Sequence, residues 1–245
     1  MSDENSKNLI GYWGFPHPDM INSAKAKYTG SEFIDLDVNY NYPSSNIIPD
    51  AYCRIIRNIV DNSIFLKNKL ECILASVGEE KCDSGRFASL ILKDMGFNII
   101  ETKFENYEYT SAITPICKSN LSLKNKINHI MNGVIENKDL DIIETIPTHG
   151  FWGVPPNDFD FLDLFPTTTH VYGWTRCVEA KRPADMEIEM YVDENIPTVF
   201  FAQTFCSKMQ LAKYLAQKYD GLYIDVDDFA TNSVKAKIEA FIRLG

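Results

Sequence analysis

The chain has 245 residues, 45% of them hydrophobic and 24% charged, and its 34 acidic and 24 basic residues give a formal net charge of −10. That composition suits a globular protein with a sizeable core and excludes a disordered or low-complexity chain. The negative balance, with Lys and Arg scattered along the chain, repels a phosphate backbone and argues against nucleic acid as a partner. The N-terminal MSDENSKN is acidic and polar, and the apolar run after it is too short for a signal peptide or a membrane span. The expected location is the cytoplasm, with no membrane partner.

Leu9 to Trp13 predicts a strand, followed by the stiff loop Gly14-Phe15-Pro16-His17-Pro18 and a helix from about Asp19 to Lys27. Ser31 to Val38 alternates as a second strand does, and Tyr40 to Pro49 is a loop by composition. A helix starts near Asp50 and carries Ile55 and Ile59. Ile73 to Val77 is a short apolar run expected as a buried strand. Its helix follows Cys82, with Phe87, Leu90 and Ile91 expected on the core face, and Phe97 to Glu101 closes the unit.

Residues 103 to 140 look like a connection, with a helix expected from about Leu121 to Glu136. The second half opens with an expected strand, Asp141 to Ile146, and the loop Pro147 to Asn157. A short helix (Phe159 to Leu164), strand Thr169 to Trp174, a helical stretch between Pro183 and Tyr191 and strand Thr198 to Ala202 come next. Cys206 precedes another helix, and strand Leu222 to Val226 and a terminal helix complete the chain. Alternating β and α elements imply parallel sheets with helices on both faces.

The segment ILASVGEEKCDSGRFASLILKDMGFNIIE is echoed by VFFAQTFCSKMQLAKYLAQKYDGLYIDVD, with Cys82 aligned on Cys206 and Ala88 on Ala212. A second echo, GYWGFPHPD against GFWGVPPND, has a different offset. The expected architecture is therefore two similar Rossmann-like (flavodoxin-like) lobes, 1–118 and 141–245, joined by a connecting helix at 119–140, with the site in the cleft between them. In parallel sheets ligands bind beyond the carboxyl ends of the strands. That rule gathers Pro16-His17, Glu79 to Cys82, Thr148-His149, Arg176-Cys177 and Thr204 to Cys206.

No G-x-G-x-x-G follows a strand, and neither G-x-x-x-x-G-K-[ST] nor G-x-S-x-G occurs. The six cysteines include no C-x-x-C pair, so they read as reduced thiols or ligands and not as a disulfide framework or zinc ribbon. Cys82 and Cys206 fall at expected helix N-termini, where the dipole favours a thiolate, which is both a nucleophile and a soft metal ligand. Cys177 follows a strand in the same way, while Cys53, Cys72 and Cys117 read as small core hydrophobes. His149 is a candidate to orient a substrate or accept a proton, and Glu79 a candidate acid or base. A Pro/Gly loop His also caps backbone groups, and a charged loop pair such as Glu79-Glu80 is more often solvated.

Five stretches in colinear order, IGYWGFPHPDMINSAKA with FIDLD, CDSGRFASLILKDMGFNII, THVYGWTRC, TFCSKMQ and SVKAKIEAF, resemble the iron–sulfur subunits of 2-hydroxyacyl-CoA dehydratases and the related benzoyl-CoA reductases. The resemblance implies one [4Fe-4S] cluster held by Cys82, Cys177 and Cys206, its fourth iron open to water or substrate, for low-potential reduction or dehydration. It also implies an acyl-CoA substrate and a redox partner or homologous subunit. Two features depart from the family: Ala236-Lys237 stands where Thr-Arg is usual, and 103–140 is shorter than the family's helical insert, which bears on acyl-CoA binding more than on the cluster. Two lobes with one cysteine each also resemble the aspartate/glutamate racemases, with Cys82 and Cys206 as opposed bases. The Cys-Asn-Thr and Gly-Cys-Thr signatures of that family are missing. A noncatalytic small-molecule or cofactor-binding protein is the third reading.

Overall fold

The computed structural model describes residues 7–78, 81–103, 115–136 and 140–244. The chain divides into two compact units, Met1–Glu105 and Asn106–Gly245. The first contains β1 (Leu9–Trp13), α1 (Pro18–Lys27), β2 (Glu32–Asp35), α2 (Arg54–Phe65), β3 (Leu70–Ser76), α3 (Asp83–Asp94) and β4 (Ile99–Thr102). The second contains α4 (Leu123–Asn132), β5 (His149–Trp152), β6 (Thr169–Tyr172), α5 (Trp174–Glu179) and α6 (Met186–Met190). It continues with β7 (Thr198–Gln203), α7 (Met209–Lys218), β8 (Leu222–Val226) and α8 (Asn232–Leu244), with 3-10 turns at Pro115–Lys118 and Asp160–Leu164.

Each unit is an α/β layer structure on a four-stranded, all-parallel sheet, ordered β2-β1-β3-β4 in the first and β6-β5-β7-β8 in the second. The shared order makes the units topologically alike, as the sequence echoes predict. GYWG and GFWG mark the same place: β1 and β5 are the first strands, each lies inside its sheet, and each ends in a fully buried Trp followed by Gly. The indole N–H of Trp13 donates to the Ser76 carbonyl at 3.1 Å, and that of Trp152 to the Glu189 carbonyl at 2.7 Å. The two echoes differ in offset because the connection from β2 to β3 (36–69) is longer than that from β6 to β7 (173–197).

Inner parallel strands are covered on both faces, so they read as apolar runs. Every residue of β7 is buried, and Phe200, Ala202, Trp152, Ala212 and Leu215 share one core. In the first unit Trp13, Ile73, Ala75, Ile59, Val60, Ala88 and Leu92 do the same.

Three expectations need correction. The strand expected at 141–146 is not formed: Glu144 makes only an isolated antiparallel bridge with Ser119, and Ile143 and Ile146 are exposed. The strand lies within the expected loop, at β5, where Phe151 and Trp152 supply the buried side chains. On α3 the buried face is Gly85, Ala88, Ser89 and Leu92, while Phe87 and Leu90 are 56% and 58% exposed. Small residues face the sheet because the helix lies close to it. Finally, α4 packs on β6 and α5, so it belongs to the second unit's core and is not a separate connector. Among the described residues no helix is long and apolar enough to cross a membrane.

The α4 contact buries Lys126 completely. Its Nζ donates to the carbonyls of Thr167 (2.9 Å) and Thr169 (2.5 Å), and burial lowers its pKa to about 8. The folded chain therefore releases this proton before the unfolded chain does, and stability rises with pH between about 8 and the ordinary lysine value. Replacing Lys126 by Met should remove that contribution. In urea titrations, wild type should gain ~1–3 kcal/mol of stability relative to the variant between pH 7 and pH 10.5; no relative gain contradicts the assignment.

Candidate functional site

The strand order of the first unit places the change of chain direction between β1 and β3, and the carboxyl ends of β1, β2 and β3 lie side by side there. β1 exits through Gly14, whose φ of +69° is in the left-handed region and whose missing Cβ would fall 2.9 Å from Ser76 Cβ. Only glycine lets the two strand ends approach so closely. Ser76 Oγ is buried and, among the described residues, makes no hydrogen bond. β2 exits through Asp35, Leu36 and Asp37, and β3 leads through Val77 and Gly78 to Lys81 and Cys82.

One carboxylate joins these exits. Asp37 accepts the Gly14 N–H at 2.8 Å through Oδ2 and pairs with Lys81 Nζ at 2.7 Å through Oδ1. Both partners are largely shielded, with side chains 14% and 11% exposed. The loop is pinned from behind by α2: Asn58 Nδ2 donates to the Asp37 carbonyl, and Asn62 Nδ2 to those of Leu36 and Val38. Burial alone would lower the Lys81 pKa, but the adjacent Asp37 reverses that, with Cys82 and Cys53 adding, so the ammonium is held charged.

Asp35 stands next in line, paired in register with Tyr12 and accepting the Asp37 N–H at 2.9 Å. Its side chain keeps some exposed surface, yet burial is the largest cause that lifts its carboxyl well above the usual carboxylate range. The charge of Asp37 is the next, opposed by the Asp37 N–H, Lys81 and Tyr12. Burial and then Asp35 likewise push the Tyr12 hydroxyl up. The result is a neutral carboxyl, a phenol, a paired carboxylate and an ammonium, gathered where parallel sheets take their ligands. Displaced acidities of this kind cluster at functional sites.

Of the residues expected from the sequence, Cys82 fits this edge: it is the exposed N-cap of α3 and follows Lys81 directly. Cys206 occupies the equivalent place in the second unit, half-buried between β7 and α7. Glu79 lies outside the described residues. His149 is the first residue of β5, at the amino end of the strand, away from the carboxyl edge where the expected loop would have put it. Its Nε2–H donates to the Ile242 carbonyl of α8 at 3.1 Å, and Nδ1 accepts from the neighbouring Thr148 Oγ1 at 3.0 Å, so both nitrogens are engaged in structural contacts. His17, the other histidine in the loops, caps α1 by accepting the Asp19 N–H.

Cys177 is not in a loop after β6 but inside α5, fully buried. Its Sγ–H donates to the Asp185 carbonyl at 3.5 Å. Burial first and Glu189 second push its thiol up to about 12, against the smaller opposing effect of Lys208. With its thiol buried and bonded to a backbone carbonyl, Cys177 is not presented as a ligand in the way that the accessible thiols Cys82 and Cys206 are. Within neither unit, among the described residues, do three or more His, Cys, Asp or Glu side chains form a group that could hold a metal ion.

At the matching edge of the second unit, amides take the place of the ion pair. Gln203 Oε1 accepts the Asn157 N–H, Gln203 Nε2 donates to the Asp227 carbonyl, and Asp158 accepts the Ala230 N–H. The Asp35–Asp37–Lys81 set was missed in the sequence because FIDLD reads as alternation within a strand. The available signal was two acidic residues at the end of that strand, one residue apart. Comparison with protein-family models gave no match, and comparison with curated proteins gave none.

Removing one member of the Asp37–Lys81 pair strands the other. Lys81→Met should destabilise the chain by ~1–3 kcal/mol, discounted for the partial exposure of the pair. Asp37→Asn with Lys81→Met should recover much of that loss in thermal unfolding. Additive losses in the double variant would show that the two groups act separately.

Proposed function

We propose that the carboxyl edge of the first sheet binds a small polar molecule and delivers a proton to it from Asp35. The observation that carries this is the raised pKa of Asp35 beside the buried Asp37–Lys81 pair, which keeps a carboxylic acid protonated at neutral pH. Lys81 cannot move far without exposing Asp37, so it fixes the electrostatic frame. The unpaired Ser76 hydroxyl and the Tyr12 phenol supply further donors. A group with a basic oxygen, such as a carbonyl, suits this set. The thioester of an acyl-CoA is one such group and agrees with the substrate class implied by the dehydratase resemblance. We place the protein in the cytoplasm, where the exposed Cys82 stays reduced.

The ligand is sought by thermal shift and by iodoacetamide labelling of Cys82, read by peptide mass spectrometry, against acyl-CoAs, free CoA, nucleotides and small carboxylic acids. A carbonyl ligand should raise the melting temperature and slow Cys82 labelling several-fold, and Asp35→Asn should weaken both effects by about tenfold or more in concentration. A ligand that stabilises the chain without protecting Cys82, or that binds Asp35→Asn equally well, overturns the reading.

The iron–sulfur reading is tested separately. After anaerobic purification, iron and acid-labile sulfide should be the same in wild type and Cys177→Ser. A stoichiometric cluster that is lost with Cys177 would restore three-cysteine ligation.

A further inference from the structure

The thiol expected to be inert, Cys53, is not in the core. It is the N-cap of α2, as Cys82 is the N-cap of α3, and neither thiol caps its own helix. The two helices pack against each other, and a hydrogen bond of 2.9 Å between Tyr52 Oη and Ser84 Oγ links the residue before Cys53 to the first turn of α3. Cys82 is exposed and Cys53 is half-buried, packed against the first unit's core. The charges of Cys82 and Cys53 are among the causes that raise the Lys81 pKa, so both thiols lie near the same ammonium. Cys72, Cys117 and Cys177, by contrast, are buried, and burial leads the causes that raise their thiols.

We infer that Cys53 and Cys82 form a thiol–disulfide exchange pair, Cys82 attacking a small-molecule disulfide and Cys53 resolving the adduct. In the first step the Cys82 thiolate bonds to one sulfur of the disulfide, and the other sulfur leaves as a thiolate that takes up a proton. In the second step the Cys53 thiolate attacks Cys82 Sγ and expels the second thiol. Both cysteines are oxidised, the disulfide is reduced to two thiols, and the product is a Cys53–Cys82 bond. The order follows from access, because only Cys82 is exposed. The exchange requires no bound ligand, so it stands or falls independently of the proton-donor reading.

The test uses the full chain, oxidised glutathione and intact-mass and peptide spectrometry. Wild type should lose two hydrogens without accumulating a glutathionyl adduct, and the linked peptides should contain Cys53 and Cys82. Cys53→Ser should accumulate the adduct on Cys82, and Cys82→Ser should leave Cys53 largely unreacted. Adduct accumulating on Cys82 in wild type as it does in Cys53→Ser, or a disulfide to another cysteine such as Cys206, overturns the pairing.

Discussion

The carboxylate of Asp37 governs the first unit. It belongs to the exit of β2, accepts an N–H from the exit of β1 and binds the lysine that follows β3. Parallel strands share no hairpins, so their carboxyl ends need some other tie. A charged tie is effective only when complete, since each ion has been drawn from water and the loss of either leaves the other uncompensated. The Gly14 N–H, the Asn58 amide on the adjoining carbonyl and the ammonium together make it complete. Asp35 beside it is kept protonated first by burial and then by the charge of Asp37, against the weaker pull of the Asp37 N–H and Lys81.

The second unit shows what the same frame does without that charge. Its first strand also ends in a buried Trp and a Gly, and Cys206 stands where Cys82 does. The strand exits are joined by Gln203 and Asn157, neutral groups that satisfy backbone atoms. Its buried ion pairs include Arg176 with Glu179 within α5 and Lys208 with Glu189 between α7 and α6, the latter near the end of β5, whose Trp152 donates to the Glu189 carbonyl. These pairs hold short helices together. Shared topology thus carries different side-chain chemistry at the two sheet edges.

Much of the frame was legible in the sequence, because β1 and β8 are apolar runs bounded by polar or Gly-containing turns and the Trp-Gly echoes mark equivalent strand ends. What misled was burial by small residues. The inner face of α3 is Gly85, Ala88 and Ser89, and an apolar-periodicity reading follows Phe87 and Leu90, which point outward. Apolar content likewise favoured DIIETI as a strand, although its isoleucines are solvent-facing and the shorter HGFW forms the sheet. The polar side of α2 was illegible for the opposite reason. Arg57, Asn58, Asp61 and Asn62 are all buried because they hold the long loop after β2, with Asp61 accepting the Ser45 N–H and hydroxyl and Arg57 paired to Asp50. A sequence shows that a helix has a polar face, but not that a loop folds back over it.

Cysteine illustrates why position in a motif was insufficient at the candidate site. Cys82 and Cys177 both follow strands in the sequence, yet a thiolate is stable only where water or a cation meets it. Cys82 has both, being exposed and next to an ammonium whose charge is secured by Asp37. Cys177 has neither in sufficient measure: α5 begins immediately after Gly173, whose φ of +74° turns the chain so tightly that the helix carries Cys177 into the core beside Glu189. The tightness of one glycine turn thus separates an exposed thiol from a buried one.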